Sequence, residues 1–249
     1  MESAWLLTAG LVPVVFAPAD LMVFVDLPKI ALLQTLTGAM AALWAADWAL
    51  TGNKPAGAAN APTWHRFRSW TRENPARWAI VAALAFLAAN AISTLLSPAP
   101  SLSLWGNNPG RDGYGLYNTA SLVVLFLVVA TRLRTRAQTW RLLTTIAVAA
   151  TLAALYGVLQ YYRLDPFGQS DAGRITASFG NSLFAGSFLS MALPISLGLA
   201  TARVSSFGWA TRGLATRRNR LTILLGMGWV AAVAVQLTAI ILTLSRGPW

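Results

Sequence analysis

Seven long apolar runs, separated by short polar or basic stretches, dominate the hydropathy pattern along the chain. They lie near residues 4–19, 28–50, 78–97, 116–131, 142–161, 181–201 and 221–244. A membrane-crossing helix needs about 20 predominantly apolar residues to span a hydrocarbon layer about 30 Å thick. The spacing therefore predicts about seven transmembrane helices joined by short loops. Pro13 and Pro194 fall inside two of these runs. They remain compatible with spanning helices, because neighbouring helices re-satisfy the backbone groups that a proline frees in a bilayer. Glu2 and the lack of any Lys or Arg ahead of the first run argue against a cleaved secretion signal.

Composition changes the picture only by excluding a soluble fold. Of the 249 residues, 56% are hydrophobic and 11% charged, with mean hydropathy +0.55, whereas soluble domains carry roughly 25% charged residues. The expected fold is all-α: a polytopic transmembrane helical bundle forming one domain over residues 1–249.

The net charge of +11 does not point to nucleic acid, because the basic residues are parted by apolar runs. Lys54, Arg66, Arg68, Arg72 and Arg77 follow the second run; Arg132, Arg134, Arg136 and Arg141 follow the fourth; Arg203, Arg212, Arg217, Arg218 and Arg220 follow the sixth. These loops hold fourteen of the nineteen basic residues. By the positive-inside rule they are cytoplasmic, which puts the N-terminus inside and the C-terminus outside. Trp44, Trp48, Trp64, Trp70, Trp78 and Trp105 fall near the predicted interfaces, where an aromatic belt belongs. The loop near 52–76 opens with NKPAGAANAP and reads as flexible.

The informative charges are the few on the opposite side. Arg111 lies in SLSLWGNNPGRDGYGLYN, Arg174 in DAGRITASFGNS and Arg246 in TLSRGPW. Arginine suits phosphate chemistry because its planar, permanently charged fork of donors binds phosphate oxygens in pairs. Two or three meeting at the surface make a diphosphate clamp; any one alone equally fits pairing with a nearby aspartate or a lipid phosphate. Asn181 or Ser182 can cap the sixth span, and the free N–H groups there would receive an anion or simply be capped. Lys29 and Arg163 read as anchors at the headgroups, and Asp47 as a carboxylate reaching water at a cytoplasmic end.

Other chemistry is missing. The chain has no cysteine and one histidine, His65, so it offers no zinc site, disulfide or cysteine nucleophile. It carries neither a phosphate-binding GxxxxGK[ST] loop nor a D-x-D pair that would hold Mg²⁺.

Four segments together resemble the O-antigen ligase and O-antigen polymerase superfamily. They are LPKIALLQ, WGNNPGRDGYGLYN, GRITASFGNSLFAGSFLSMALPISLGLA and the closing TLSRGPW. They follow the family's order and cover nearly the whole chain. The resemblance implies a C-type glycosyltransferase fold in a bacterial inner membrane, working at the periplasmic face with no metal or other cofactor. It implies transfer of a glycan from an undecaprenyl diphosphate carrier to lipid A-core or another acceptor, or else polymerisation of carrier-linked repeat units. The implied partners are the lipid-linked oligosaccharide, the acceptor and membrane lipids. The family's diphosphate-binding arginines map to Arg174 and Arg246, and less closely to Arg111. The chain departs from the family's Asn-Pro-Asn at Asn181, Ser182 and Leu183. Family members also continue past the position of Trp249 into an external loop carrying a histidine, so the sequence reads as an N-terminal portion with no assignable general base. The readings from other classes are a polytopic transporter or flippase, and a non-catalytic scaffold.

Overall fold

In the computed structural model, residues 2–17, 26–51, 63–106, 114–167, 173–204 and 217–245 are described. Among them the chain is helical, with nine α-helices and no β-strand element. These are α1 (Glu2–Leu11), α2 (Asp26–Thr51), α3 (Thr63–Glu73), α4 (Arg77–Leu95), α5 (Pro100–Trp105), α6 (Leu116–Arg132), α7 (Arg136–Tyr161), α8 (Ser182–Val204) and α9 (Arg217–Leu242). Five of them, in α2, α4, α7, α8 and α9, are long and apolar enough to cross a membrane. No residue of the α4 span is buried within the protein, and Leu84, Phe86, Ile92 and Leu95 stand exposed along it. Apolar side chains in that number need a lipid surface rather than water. The protein is therefore an α-helical, membrane-embedded one.

Of the seven expected spans, five correspond to helices long and apolar enough to cross a membrane among the described residues. At 17 residues, α6 is about 25 Å long, slightly short of the hydrocarbon layer. The first run departs most. Instead of a helix over 4–19, α1 stops at Leu11 after ten residues, roughly half a crossing. Residues 12–14 form a turn and 15–17 are extended. Pro13 has no N–H to continue the ladder, and its ring clashes with the preceding turn. Pro194 sits within α8 without ending it; at Pro13, by contrast, side chains from elsewhere take up the freed carbonyls, as described below.

The loop near 52–76 is not wholly irregular either. Residues 63–73 form α3, and Arg77 ties α3 to α4 by donating to the Trp70 carbonyl at 2.7 Å and to Glu73 at 2.9 Å. Its first eleven residues, 52–62, lie outside the described set.

The chain divides into two compact units. Unit 1 comprises Met1–Trp5 and Ile30–Arg134, unit 2 Leu6–Lys29 and Thr135–Trp249. In unit 1, Asp47 of α2 accepts a hydrogen bond from Arg132 of α6, so it is part of an ion pair and not simply a solvated carboxylate. α5 packs beside the start of α6, with the Trp105 and Tyr117 rings 5.4 Å apart. Gly115 makes that contact possible. A Cβ there would lie 2.7 Å from the Leu104 carbonyl oxygen and 2.9 Å from the Gly106 nitrogen. Both are backbone atoms and cannot swing aside, so Gly115→Ala should destabilise the protein by about 1–3 kcal/mol. Thermal unfolding in detergent micelles checks this; an unchanged midpoint would refute the close approach.

Unit 2 is built on α7, α8 and α9, which meet through small residues. Ala150, Ala154, Ala192 and Ala239 are fully or almost fully buried beside Leu189 and Ile240. Small side chains let helix backbones approach closely where no hydrophobic drive separates lipid from protein. Gln236 of α9 crosses this core, donating to Thr151 Oγ1 of α7 and Ser196 Oγ of α8, each at 2.9 Å. The N-terminal segment runs along α7 in the same direction. Gly10 faces Thr145, and the Phe16 ring stacks on that of Tyr156 with centroids 4.9 Å apart. Six residues of this segment thus cover eleven of α7, about 16 Å. Helix would cover about 9 Å, so the extended stretch after Pro13 supplies the reach.

Candidate functional site

The segment joining α7 to α8 folds back against the end of α7. Ile175, Ala177 and Ser178 are buried although they lie in a connection. A buried loop is stable only if its backbone polar groups find partners, and Gln160 in the last turn of α7 provides them. Its Oε1 accepts the N–H of Thr176 at 3.2 Å and of Ala177 at 2.7 Å, and its Nε2 donates to the Ala177 carbonyl at 3.3 Å. One turn earlier, the absent side chain of Gly157 leaves room for Ile175, whose Cδ1 would be 2.8 Å from a Cβ there. Nearby, the Tyr156 hydroxyl donates to Asp165 at 2.9 Å, inside a cluster with the rings of Phe16 and Phe167.

This folded-back segment carries Arg174 to the end of α9. The guanidinium donates from Nε to the Thr243 carbonyl at 3.4 Å and from Nη2 to the Leu244 carbonyl at 3.1 Å. The adjacent Ile175 N–H reaches the Leu242 carbonyl at 3.4 Å. Leu242 is the last residue of α9 and Thr243 and Leu244 form the turn that follows, so these carbonyls lie at the negative end of the helix dipole, where a cation is stabilised. Thr243 shapes the turn, donating from Oγ1 to the Ile240 carbonyl at 2.7 Å and accepting the Ser245 N–H at 3.3 Å. Arg174 is exposed and forms no ion pair among the described residues. Its two bonds go to neutral carbonyls, so most of its donor fork and its whole charge remain directed outward.

Backbone strain collects here. Among the described residues, the non-glycine residues with positive φ are Ala177 (φ 49°), Leu244 (φ 49°) and Arg163 (φ 58°), all at this end of unit 2. Such conformations cost of order 1–3 kcal/mol each and persist where the surroundings enforce them, as they do at binding sites.

The residues singled out from sequence fare differently. Arg174 is joined to the TLS stretch of the closing motif, 69 and 70 residues away. Arg246, next along, and Arg111 lie outside the described residues, as do the other residues of 107–113 and 246–249. Asn181 is exposed and caps α8: its Oδ1 accepts the Leu183 N–H at 2.8 Å and its carbonyl the Ala185 N–H at 3.0 Å. Ser182 is the first residue of α8, so the helix start is capped from within, and one of its free N–H groups is already taken.

Lys29 corrects the expectation of a headgroup anchor. It is only 9% exposed, and its Nζ donates to the Val12 and Pro13 carbonyls at 3.1 and 2.8 Å. The breaking of α1 leaves these carbonyls free to accept. Hydropathy and charge patterns do not single out Ser178 and Gln160. A glutamine near the end of an otherwise apolar run was the available signal for Gln160; nothing local marked Ser178. Among the described residues, no three His, Cys, Asp or Glu side chains gather where they could hold a metal ion. No protein-family model, curated protein or solved structure matches the chain.

Proposed function

We propose that the end of unit 2 around Arg174 binds the diphosphate of a lipid-linked glycan, in a membrane glycan transferase of the O-antigen ligase type. The observation that carries this reading is the state of Arg174. It is an exposed guanidinium with no carboxylate partner among the described residues, fixed in direction by two helix-end carbonyls. Those carbonyls belong to the first two residues of the TLSRGPW motif, so Arg246 follows two residues further along the sequence.

In this reading the basic loops face the cytoplasm, and the α7–α8 connection and the end of α9 lie on the periplasmic face. The donor's lipid tail stays in the bilayer while its diphosphate meets Arg174. When the acceptor oxygen bonds to the sugar's anomeric carbon, the bond from that carbon to the phosphate oxygen breaks. Negative charge then develops on the departing diphosphate, and cations already held in place stabilise it without reorganising. Polymerisation of carrier-linked repeats would use the same donor chemistry with a different acceptor.

The direct test is binding of geranylgeranyl diphosphate to the purified protein in detergent micelles. Charge-assisted hydrogen bonds contribute about 1.5–3 kcal/mol, so Arg174→Ala should weaken the dissociation constant roughly 10- to 100-fold. Binding of uncharged geranylgeraniol should be unchanged. Equal affinity of parent and variant for the diphosphate would sink the reading.

One observation favours the rival reading of a transporter or flippase, namely the interruption of the first crossing at Leu11, since broken helices often line transport sites. The two differ in product. A transferase releases carrier diphosphate as each glycosidic bond forms, whereas a flippase delivers the lipid-linked glycan intact.

A further inference from the structure

The ammonium of Lys29 is the most deeply buried charge described in unit 2. A buried cation is costly unless hydrogen bonds or an aromatic face replace its water. Here both do. Its two hydrogen bonds end on Val12 and Pro13, and Nζ lies 4.7 Å from the centroid of the Phe179 ring. The Pro13 carbonyl is shared, because Ser178 Oγ also donates to it at 2.6 Å. Phe179 in turn packs on Phe188 of α8, with centroids 5.1 Å apart. Three parts of unit 2 therefore meet around one nitrogen: the first residues of α2, the broken end of α1, and residues 178–179 of the segment that carries Arg174.

We propose that Lys29 is a positioning residue for Arg174, clamping the segment 173–179 against the interrupted first crossing. Lys29 does not itself touch the ligand in this scheme. Without its charge, the Val12 and Pro13 carbonyls lose a donor, the Phe179 ring loses its cation, and the segment loses one of its supports, leaving Gln160 and the contacts to the end of α9. The consequence for ligand binding rests on reading Arg174 as the diphosphate ligand; the clamp itself does not.

The absence of native cysteine allows the clamp to be tested by site-specific thiol labelling of the full chain in micelles. Ala177→Cys reports on the segment and Ala200→Cys, on α8, on the rest of the unit; both alanines are buried. Lys29→Met should raise maleimide labelling at 177 roughly tenfold, the ratio that one charge-assisted contact supplies. Labelling at 200 should stay unchanged, and Lys29→Arg should restore much of the shielding at 177. Unchanged labelling at 177 in Lys29→Met would overturn the proposal. If that variant opens both sites alike, Lys29→Gln, which keeps N–H donors without the charge, decides. A rise at 177 alone then upholds the clamp, and any other pattern overturns it.

Binding of geranylgeranyl diphosphate, measured in the cysteine-free parent, separates this proposal from the reading it deepens. Lys29→Met should weaken binding severalfold in the parent but not in the Arg174→Ala background, because the two substitutions act through one group. Loss of shielding with undiminished diphosphate binding would leave the clamp standing and remove the role of Arg174. Intact shielding with weakened binding would do the reverse.

Discussion

On the proposed transferase reading, Arg174→Ala is expected to lower glycan transfer from the lipid diphosphate carrier by roughly 10²–10³-fold, the effect of removing one preorganised donor from a site where charge develops. The loss should fall on turnover as well as on donor binding, because the leaving diphosphate is more negative at its bridging oxygen in the transition state than in the bound donor. Arg174→Lys should recover only part of the activity. An ammonium keeps the charge but cannot hold the Thr243 and Leu244 carbonyls while offering a planar pair of donors outward. The measurement is the rate of glycan transfer in membranes carrying the protein, with protein level and helix content matched between variants. Activity equal to the parent's in Arg174→Ala would show that the guanidinium serves only to cap α9.

The second large effect is on stability. Gln160→Leu keeps the side chain's approximate bulk but removes the acceptor for the Thr176 and Ala177 N–H groups and the donor to the Ala177 carbonyl. Both residues are buried, so two backbone donors would be left without partners, each costing about 1–3 kcal/mol. A destabilisation of about 2–6 kcal/mol follows, to be read from thermal unfolding in micelles. Gln160→Glu should cost less, since a carboxylate oxygen can still accept both N–H groups and only the bond to the Ala177 carbonyl is lost. If the leucine variant unfolds at the parent's temperature, the segment must be held elsewhere. A stable leucine variant that nonetheless lost diphosphate binding would mean that Gln160 sets the position of Arg174 without carrying the fold.

Both predictions concern contacts that hydropathy cannot reveal. The apolar runs at 28–50, 78–97, 142–161, 181–201 and 221–244 each became a long helix because helix formation and partition into lipid depend on a residue's own neighbourhood. Among the described residues, Arg132, Arg134 and Arg136, and likewise Arg203 and Arg217, fall at or beside helix ends, where charge belongs. The first run fails that test. Its composition is apolar enough for a helix throughout, yet α1 ends at Leu11, since the fold offers Lys29 and Ser178 as donors for the carbonyls that the break at Pro13 exposes. Residues 63–73 fail it in the other direction: they follow a Gly- and Pro-rich stretch that reads as flexible, but form a helix tied to α4 through Arg77.

For the candidate site, local sequence singled out Arg174 as an unusual charge in a turn-forming segment. It did not determine what the guanidinium meets. Its partners are 69 and 70 residues away, and those of Lys29 and Ser178 are 16 to 165 residues away. The sequence by itself determined an all-helical chain that belongs in a membrane, because burial in lipid is additive over neighbouring residues. The tertiary structure decided which polar side chains face one another in unit 2, because a hydrogen bond depends on the distance between two atoms that only packing brings together.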